Sequence, residues 1–248
     1  MKKYILLVSV LLFYCCNNQN EITVKKGQGS SDKEIEITIT KVLGSPEYKN
    51  AKLDLEVRTL ADGEYEFSFN VDQYELGLQT LKDFNYNLAN SAKGQHIHFI
   101  VNNDPYSAHY NEKFSKKIDG NSNVILAFLS RSYHESVKNK NSFVLTQIGE
   151  QNIDLNNEFL FYSRPKGTYK GADTEKLLLD FYLINTEISA DGNKVRATIQ
   201  DKKFIIDEWV PYYIEGLPKG EIKIKLELID TSGNLIDTPF NPSERIVI

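Results

Sequence analysis

All four histidines of the 248-residue chain lie between residues 96 and 134. His96 and His98 are one residue apart, and in a β-strand this spacing places both imidazoles on the same face, about 7 Å apart along the backbone. Two neutral imidazoles at that distance bind a divalent metal when a third ligand approaches them. We expect His134 to be that ligand, with His109 as the alternative. The pattern predicts a zinc or copper(II) site, although histidines on an exposed strand also occur without any metal.

The segment Ser130–His134 offers a second kind of chemistry. An arginine with hydroxyl groups nearby suits phosphate recognition, because a guanidinium binds an oxyanion through two parallel hydrogen bonds. The order of residues resembles the Ser-Arg-X-His loop of forkhead-associated domains, with one residue too many before the histidine. We therefore predict that Arg131, Tyr133 and Tyr106 bind a small ligand in a polar pocket of this region, with or without a metal.

Sequence patterns of known catalytic centres are absent. The chain has no nucleophile elbow, no glycine-rich phosphate loop, no His-Glu-X-X-His and no EF-hand loop. Its 34 carboxylates are scattered, and no cysteine follows Cys16, which excludes a cysteine nucleophile in the folded part. We therefore expect a binding protein and not an enzyme. A metal-dependent hydrolase that uses the same histidines is the third hypothesis.

The elements that position these side chains are predicted to be β-strands. Apolar and polar residues alternate in several runs, which is typical of strands with one face on a core and the other in water. Aromatic residues make up 11% of the chain, a composition that favours sheets. The alternating runs are 35–40, 53–57, 65–69, 195–199 and 222–228. No stretch of comparable length has a helical period, so the chain is predicted to be all-β.

An internal repeat predicts two tandem immunoglobulin-like antiparallel β-sandwich units, residues 34–150 and 155–248. The first unit holds every histidine and an insertion around residues 72–93. In the repeat, Lys194 and Arg196 stand where the first unit has its His-X-His pair, so the histidine face is expected to be exposed to water. The matched segments are Tyr48–Ala51 with Tyr169–Ala172, Gln95–Asn102 with Asn193–Gln200, and Asn123–Ser130 with Glu221–Leu228.

A cluster of aromatic residues in the second unit supports a different function. Trp209, Tyr212 and Tyr213 fall within five residues. Exposed Trp and Tyr side chains form platforms for glycans and partner proteins. The alternative hypothesis is therefore a structural or interaction protein that contacts a glycan or an envelope protein through these side chains. The same residues also suit ordinary packing beside Pro211, which protects an edge strand.

The N-terminus has the anatomy of a secretory signal. Lys2 and Lys3 precede an apolar run, residues 4–14, that ends at two cysteines and is too short to span a bilayer. This arrangement resembles the lipobox of bacterial lipoproteins. Cys16 is the expected lipidation site because the residue before it is small, and Cys15 is the alternative. Residues 1–16 are thus predicted to be the signal peptide and lipobox, and residues 17–33 a flexible tether.

Charge and partners follow from these features. The formal net charge is −5 and the sequence pI is about 5.5, which argues against nucleic-acid binding. A lipid anchor would bind the chain to a membrane. We therefore expect a location in the cell envelope, anchored to the outer membrane and facing either the periplasm or the outside.

Three segments resemble a family of uncharacterised tandem β-sandwich lipoproteins from flavobacterial-type Gram-negative bacteria. They are Gln95–Tyr106, Phe128–Ser136 and Pro165–Thr174, in addition to the lipobox-like start. The resemblance implies two β-sandwich units and an envelope location, and some members are labelled phosphopeptide-binding. It supplies no catalytic residues. The leading prediction is a lipid-anchored, non-enzymatic binding module for a small ligand or divalent metal, bound by the first unit.

Overall fold

The computed structural model describes residues 36–80, 86–150 and 152–248. The predicted signal peptide and tether, with the lipidation candidates Cys16 and Cys15, lie outside these residues. Ile35–Ile248 forms one compact unit. In the described residues, regular structure consists of strands and a short 3₁₀ turn at Gly171–Thr174. No helix among them is long and apolar enough to cross a membrane.

The strands form two sandwiches that use the same strand order, as the all-β prediction required. In the first, β2-β3-β6 faces β5-β4-β7-β8; in the second, β9-β10-β13 faces β12-β11-β14-β15, and all pairings are antiparallel. The bounds are β1 Thr38–Lys41, β2 Lys52–Thr59, β3 Glu64–Asp72, β4 His96–Val101, β5 Ser107–His109, β6 Lys113–Lys117, β7 Ser122–Ser130, β8 Phe143–Gly149, β9 Phe159–Arg164, β10 Leu177–Ile184, β11 Lys194–Ile199, β12 Lys202–Ile206, β13 Tyr212–Glu215, β14 Ile222–Ile229 and β15 Ser243–Val247.

Each sandwich has its own apolar core, formed where the alternating runs place their apolar side chains. In the first, Ile97 and Phe99 of β4 pack with Phe67 of β3, and the rings of Phe67 and Phe99 have centroids 4.7 Å apart. In the second, Val195 and Ala197 of β11 occupy the corresponding positions. Burying one such large side chain contributes about 1.5–3 kcal/mol. The predicted core face of β4 is therefore confirmed.

Two of the segment matches predicted from the sequence repeat are wrong in detail. Core positions of β7 are Ile125, Ala127 and Leu129, and those of β14 are Ile224, Leu226 and Leu228. The two strands therefore correspond with an offset of 99 residues, whereas the match of Asn123–Ser130 to Glu221–Leu228 has an offset of 98. A slip of one residue exchanges the two faces of a strand.

The second error concerns the Tyr-Lys-X-Ala segments. Tyr48–Ala51 precedes the first strand of its sandwich, β2, whereas Tyr169–Ala172 follows β9 and leads into β10. The two segments thus have different places in the fold. The predicted insertion lies between β3 and β4, where the connection runs over residues 73–95, while its counterpart between β10 and β11 runs over 185–193.

The first strand belongs to the second sandwich by its pairing. Thr38–Lys41 pairs with β13, with Thr38 opposite Glu215 and Lys41 opposite Tyr212. The sheet β9-β10-β13 is thereby extended to four strands. The sequence division at residue 34 had assigned this strand to the first unit, so the chain crosses from one sandwich to the other after Lys41.

The two sandwiches share a third apolar layer, which covers the outer faces of β4 and β7. Ile100 and Phe128 on these faces pack against Phe161 of β9 and Tyr182 of β10, and the rings of Phe128 and Tyr182 stack at 4.6 Å. His96 and His98 lie on the same face as Ile100 and are fully buried. The expectation that the histidine face is exposed to water is therefore wrong, because β9 and β10 cover it.

A buried ion pair lies beside this layer. The Asp180 carboxylate of β10 accepts hydrogen bonds from the backbone N–H of Ser136 at 3.1 Å and from its hydroxyl at 3.0 Å. The Lys138 ammonium lies 2.5 Å from the same carboxylate, which is fully buried. Asp180 therefore joins the segment after β7 to the second sandwich through charge-assisted hydrogen bonds.

Candidate metal centre

The first two histidines are placed by β4. Because side chains alternate along a strand, His96 and His98 face β9 while Ile97 and Phe99 face the core of the first sandwich. The Nδ1 atom of His98 lies 3.3 Å from the hydroxyl of Ser163 on β9. The covering sheet thus contributes a polar contact to the site.

The orientation of His96 is set by the glycine before the strand. The His96 Nδ1 lies 2.8 Å from the carbonyl oxygen of Gly94. Gly94 has a φ of +84°, and a Cβ at this position would overlap the carbonyl of Gly77. Glycine is therefore required by both the backbone conformation and the close approach of a neighbouring segment. A carbonyl or carboxylate behind the distal ring nitrogen is the usual support of a metal-binding histidine.

The third histidine, His134, lies in the loop after β7. His134 has a φ of +71°, and its N–H donates to the carbonyl of Arg131 at 2.9 Å in a tight turn. The side chain of Arg131 holds this turn in place: Nη1 donates to the Ser136 carbonyl at 2.8 Å and pairs with Glu135. The loop thereby projects His134 toward β4.

The three imidazoles converge on one point. The Nε2 atom of His96 lies 3.0 Å from Nε2 of His98 and 3.1 Å from Nδ1 of His134. One nitrogen from each ring lies within 4.8 Å of the other two. Tetrahedral Zn²⁺ with Zn–N distances of about 2.0–2.1 Å separates its nitrogen ligands by about 3.3 Å. The observed spacing is thus close to that of a metal triad.

The protons explain why this arrangement favours a cation. A carbonyl only accepts hydrogen bonds, so His96 carries its proton on Nδ1, and Nε2 has the single lone pair of the ring. Without a metal, this one lone pair faces a nitrogen of His98 at 3.0 Å and a nitrogen of His134 at 3.1 Å, and the His134 nitrogen can instead accept a hydrogen bond from the Tyr106 hydroxyl. A bound metal ion instead accepts one lone pair from each of the three rings. The geometry therefore suits one divalent ion better than a closed network of hydrogen bonds.

Burial keeps the rings neutral. Desolvation lowers the pKa of His96 to about 4, with Arg164 and Lys166 adding to the effect, while the bond to Gly94 opposes it. Desolvation also lowers the pKa values of His98 and His134, to which the neighbouring histidines contribute. Protons therefore do not compete for the lone pairs at neutral pH.

Tyr106, which the sequence predicts to be a ligand-binding residue, lies against two of the three histidines. Its ring stacks on His98 with centroids 3.4 Å apart, and its hydroxyl lies 3.2 Å from Nδ1 of His134. Burial raises the pKa of Tyr106, so the phenol stays protonated. The Lys166 ammonium lies 3.9 Å from the centroid of the Tyr106 ring.

The other predicted site residues lie elsewhere. His109 pairs with Ile97 across the sheet, so its ring lies on the opposite face, where it stacks on Phe114 at 3.4 Å. Arg131 is buried, and its guanidinium already contacts Glu135 and the backbone carbonyls of Pro46 and Ser136. Tyr133 packs against Tyr86, away from the histidines.

The aromatic cluster of the second unit is part of the packing. Trp209 donates its indole N–H to the Phe181 carbonyl at 2.9 Å and contacts Tyr182 edge to face. Tyr212 is 6% exposed, and its hydroxyl donates to the Glu208 carbonyl. Tyr213 is partly buried and packs against the cluster that contains Leu178. The three side chains therefore do not form a fully exposed aromatic platform.

Comparison with known proteins gives only distant structural likenesses. The chain matches no family model, and no curated protein is similar to it. The central fibronectin-III array of RIM-binding protein matches at 9% identity and a TM-score of 0.28, over 82% of this chain and 71% of that chain. Fibronectin(III)-like modules of Clostridium thermocellum CbhA match at 11% identity and a TM-score of 0.28, over 79% of this chain and 93% of that chain. The strand order itself supports tandem fibronectin-III-like sandwiches, and neither likeness carries an argument about function.

Proposed function

We propose that this chain is a non-enzymatic metal-binding protein that holds one divalent zinc or copper(II) ion at His96, His98 and His134. The observation that carries the proposal is the convergence of three buried, neutral imidazoles on one point, with His96 Nε2 at 3.0 and 3.1 Å from the other two nitrogens. Imidazole ligands suit both ions. The Tyr106 hydroxyl, 3.2 Å from His134, supplies an adjacent oxygen.

Binding is favoured over catalysis by the surroundings of the triad. A catalytic zinc site keeps an open position for water, usually beside a general base. Here the triad lies beneath β9, and the nearby ionisable groups that act on His96 are the cations Arg164 and Lys166. These cations also oppose a bound metal, so we expect weaker affinity than in a site with a carboxylate ligand.

The decisive experiment is a zinc and copper(II) titration of residues 17–248, which contain the compact unit Ile35–Ile248 whole. We expect one ion per chain and an affinity at least about 100-fold lower in His98→Gln and His134→Gln. His109→Gln is the matched control, because its ring lies on the other face of the same sheet. Absence of binding, or equal loss in the control, would contradict the proposal.

The envelope location is a separate proposal, supported by the lipobox-like start and by the resemblance to tandem β-sandwich lipoproteins. We expect Cys16 to be diacylated after removal of residues 1–15. Incorporation of labelled fatty acid in a Gram-negative host tests this, and Cys16→Ala should abolish it. Cys15→Ala should leave it unchanged, and the opposite pattern would move the modification to Cys15.

A further inference from the structure

A second cluster, separate from the histidines, contains three cations. Arg164 ends β9, Lys166 follows two residues later, and Arg245 lies on β15 with its side chain toward the interior. Arg164 is 7% and Arg245 is 9% exposed, and Lys166 is half-buried. In the part of the chain that the structure describes, none of the three forms an ion pair with a carboxylate.

The two arginines donate hydrogen bonds only to uncharged acceptors, and some of their N–H groups have no acceptor. Arg164 Nη1 donates to the Tyr169 hydroxyl at 2.9 Å, and Arg245 Nη2 donates to the Asn103 carbonyl at 2.8 Å. The Arg164 Nε and Arg245 Nη1 atoms are buried without a hydrogen-bond partner. A buried charged donor that lacks a partner is costly, so such groups call for an explanation.

Aromatic rings provide the remaining contacts. The Arg245 guanidinium lies 4.6 Å from the ring centroid of Tyr162, whose buried hydroxyl also lacks a partner. The Lys166 ammonium lies over Tyr106 and donates to its carbonyl at 2.7 Å. Ring faces attract cations but do not neutralise them.

Two other cations in the described residues, the buried Arg131 and the partly buried Lys138, are compensated by carboxylates. Arg131 is 3% exposed and pairs with Glu135, and the Lys138 ammonium pairs with the fully buried Asp180. The cluster of Arg164, Lys166 and Arg245 departs from this rule. Burial lowers the pKa of Lys166 to about 8, and the charges of the two arginines add a smaller part of this shift.

An open cavity adjoins the cluster. It has a volume of about 280 Å³ and is lined by Lys166 and Arg245 together with Asn103 and Gly167. Two acidic residues, Asp104 and Glu244, also line it; Asp104 is exposed, and Glu244 forms an ion pair with Lys223 at 2.8 Å. The cavity is thus large enough for a small polyatomic anion beside the cations.

We propose that this cavity is a binding site for a phosphate-type oxyanion, held by Lys166 and Arg245 with Arg164 behind them. Asp104 acts on Arg245 only through space, and no described carboxylate forms an ion pair with the three cations. The anion supplies that missing ion pair, and its oxygens accept charge-assisted hydrogen bonds from Lys166 and Arg245, which both line the cavity. The site differs from the predicted phosphate loop at Arg131, whose guanidinium is already occupied. It also uses none of the three proposed metal ligands.

Inorganic phosphate is the probe for this site. It is titrated into residues 17–248 by calorimetry at constant ionic strength, in EDTA, with sulfate in a parallel arm. We expect saturable binding of one phosphate that is about tenfold weaker in Lys166→Gln, because one charge-assisted hydrogen bond is lost. Lys170→Gln, which removes an exposed lysine from the same loop, should leave the affinity unchanged. Glu244→Gln should tighten binding, since a carboxylate is removed from the cavity wall.

Several outcomes would overturn the proposal. They are absence of saturable binding, equal weakening in Lys166→Gln and Lys170→Gln, and weaker binding in Glu244→Gln. Thermal unfolding without phosphate verifies that Lys166→Gln is folded, and Arg245→Lys, which retains the charge, provides a second variant with an expected partial loss. Phosphate binding should persist in His98→Gln, so this site and the metal site fail or succeed independently.

Discussion

β4 and β11 occupy the same position in the two sandwiches and point the same kind of side chain into their cores, yet their outer faces differ. On β11, Arg196 is part-buried and makes a bidentate pair with Glu227 at 2.9 and 3.0 Å. On β4, His98 takes the corresponding place and is fully buried under β9. The position that holds an ion pair on the partly exposed face of β11 therefore holds a neutral histidine on β4, where β9 covers the same face. The candidate site arises from the contact between sandwiches and not from either fold alone.

The largest effect is expected from His98→Arg, which gives β4 the arginine that β11 has at the corresponding position, Arg196. A guanidinium there is buried beside Ser163 and Tyr106 without a carboxylate, so the free energy of unfolding should fall by about 3–5 kcal/mol. The reverse change, Arg196→His, should cost about 1 kcal/mol or less. Urea denaturation in EDTA measures the free energy of unfolding of both variants. Similar losses would show that the covered face of β4 tolerates a charge as well as the outer face of β11 tolerates a histidine.

The cover itself is tested by Asp180→Ala on β10. Removing this carboxylate leaves the Lys138 ammonium and the Ser136 N–H without their partner, and we expect a loss of about 3 kcal/mol in the free energy of unfolding. Glu244→Ala, which breaks an exposed pair with Lys223, is the control and should cost less than about 0.5 kcal/mol. Equal effects would argue against a tight contact between the sandwiches.

Lowering the pH should reduce the free energy of unfolding of the metal-free protein because the buried histidines of β4 become protonated, and β11 has no histidine. The pKa of His96 is lowered from 6.5 to about 4, and that of His98 is also lowered, so the unfolded chain binds more protons between these pH values. Stability therefore falls as pH drops below about 6.5, by at most about 1.4 kcal/mol per pH unit for each buried histidine. Denaturation at pH 7 and 5.5 measures this slope. In the double variant His96→Gln/His98→Gln the slope should be smaller, and an unchanged slope would exclude these histidines as its source.

The smallest expected effect belongs to the outer face of β11. A double-mutant cycle of Arg196→Met and Glu227→Gln should give a coupling energy of about 0.5–1 kcal/mol, because the pair is partly exposed to solvent. High salt should reduce this coupling. A coupling above about 3 kcal/mol would mean that β11 is as strongly constrained as β4.

Much of the fold was predictable because alternation fixes faces. The pattern of Ile97, Phe99 and Val101 predicted the core side of β4 correctly. An immunoglobulin-like topology also predicts that the loop after the penultimate strand of the unit, which holds His134, approaches the strand of His96 and His98. The pairing of β4 with β7 brings the loop after β7 close to His96 and His98, and the turn held by Arg131 places His134 beside them. Gly94 and Ser163, which orient the rings, had no sequence signal of their own.

The buried outer face was missed because histidine counts as polar in an alternating pattern. A different signal was available: residues 124–129 of β7 are continuously apolar, as expected for a strand covered on both sides. The corresponding strand β14 alternates at Ile222, Lys223 and Ile224, with one side in water. The same continuous run carries no information about which face is which, and this explains the one-residue slip in the alignment of β7 with β14.

The pairing of β1 with β13 has a consequence for the order in which the chain is made. Thr38 lies opposite Glu215, so β1 has no neighbour in its sheet until residues 212–215 have been synthesised. All strands of the first sandwich are complete by Gly149 and can form their local pairings earlier. A nascent chain that stops before Tyr212 therefore presents an open strand edge beside an assembled sandwich, and the sheet that contains β1 closes only after residues 212–215 have been added.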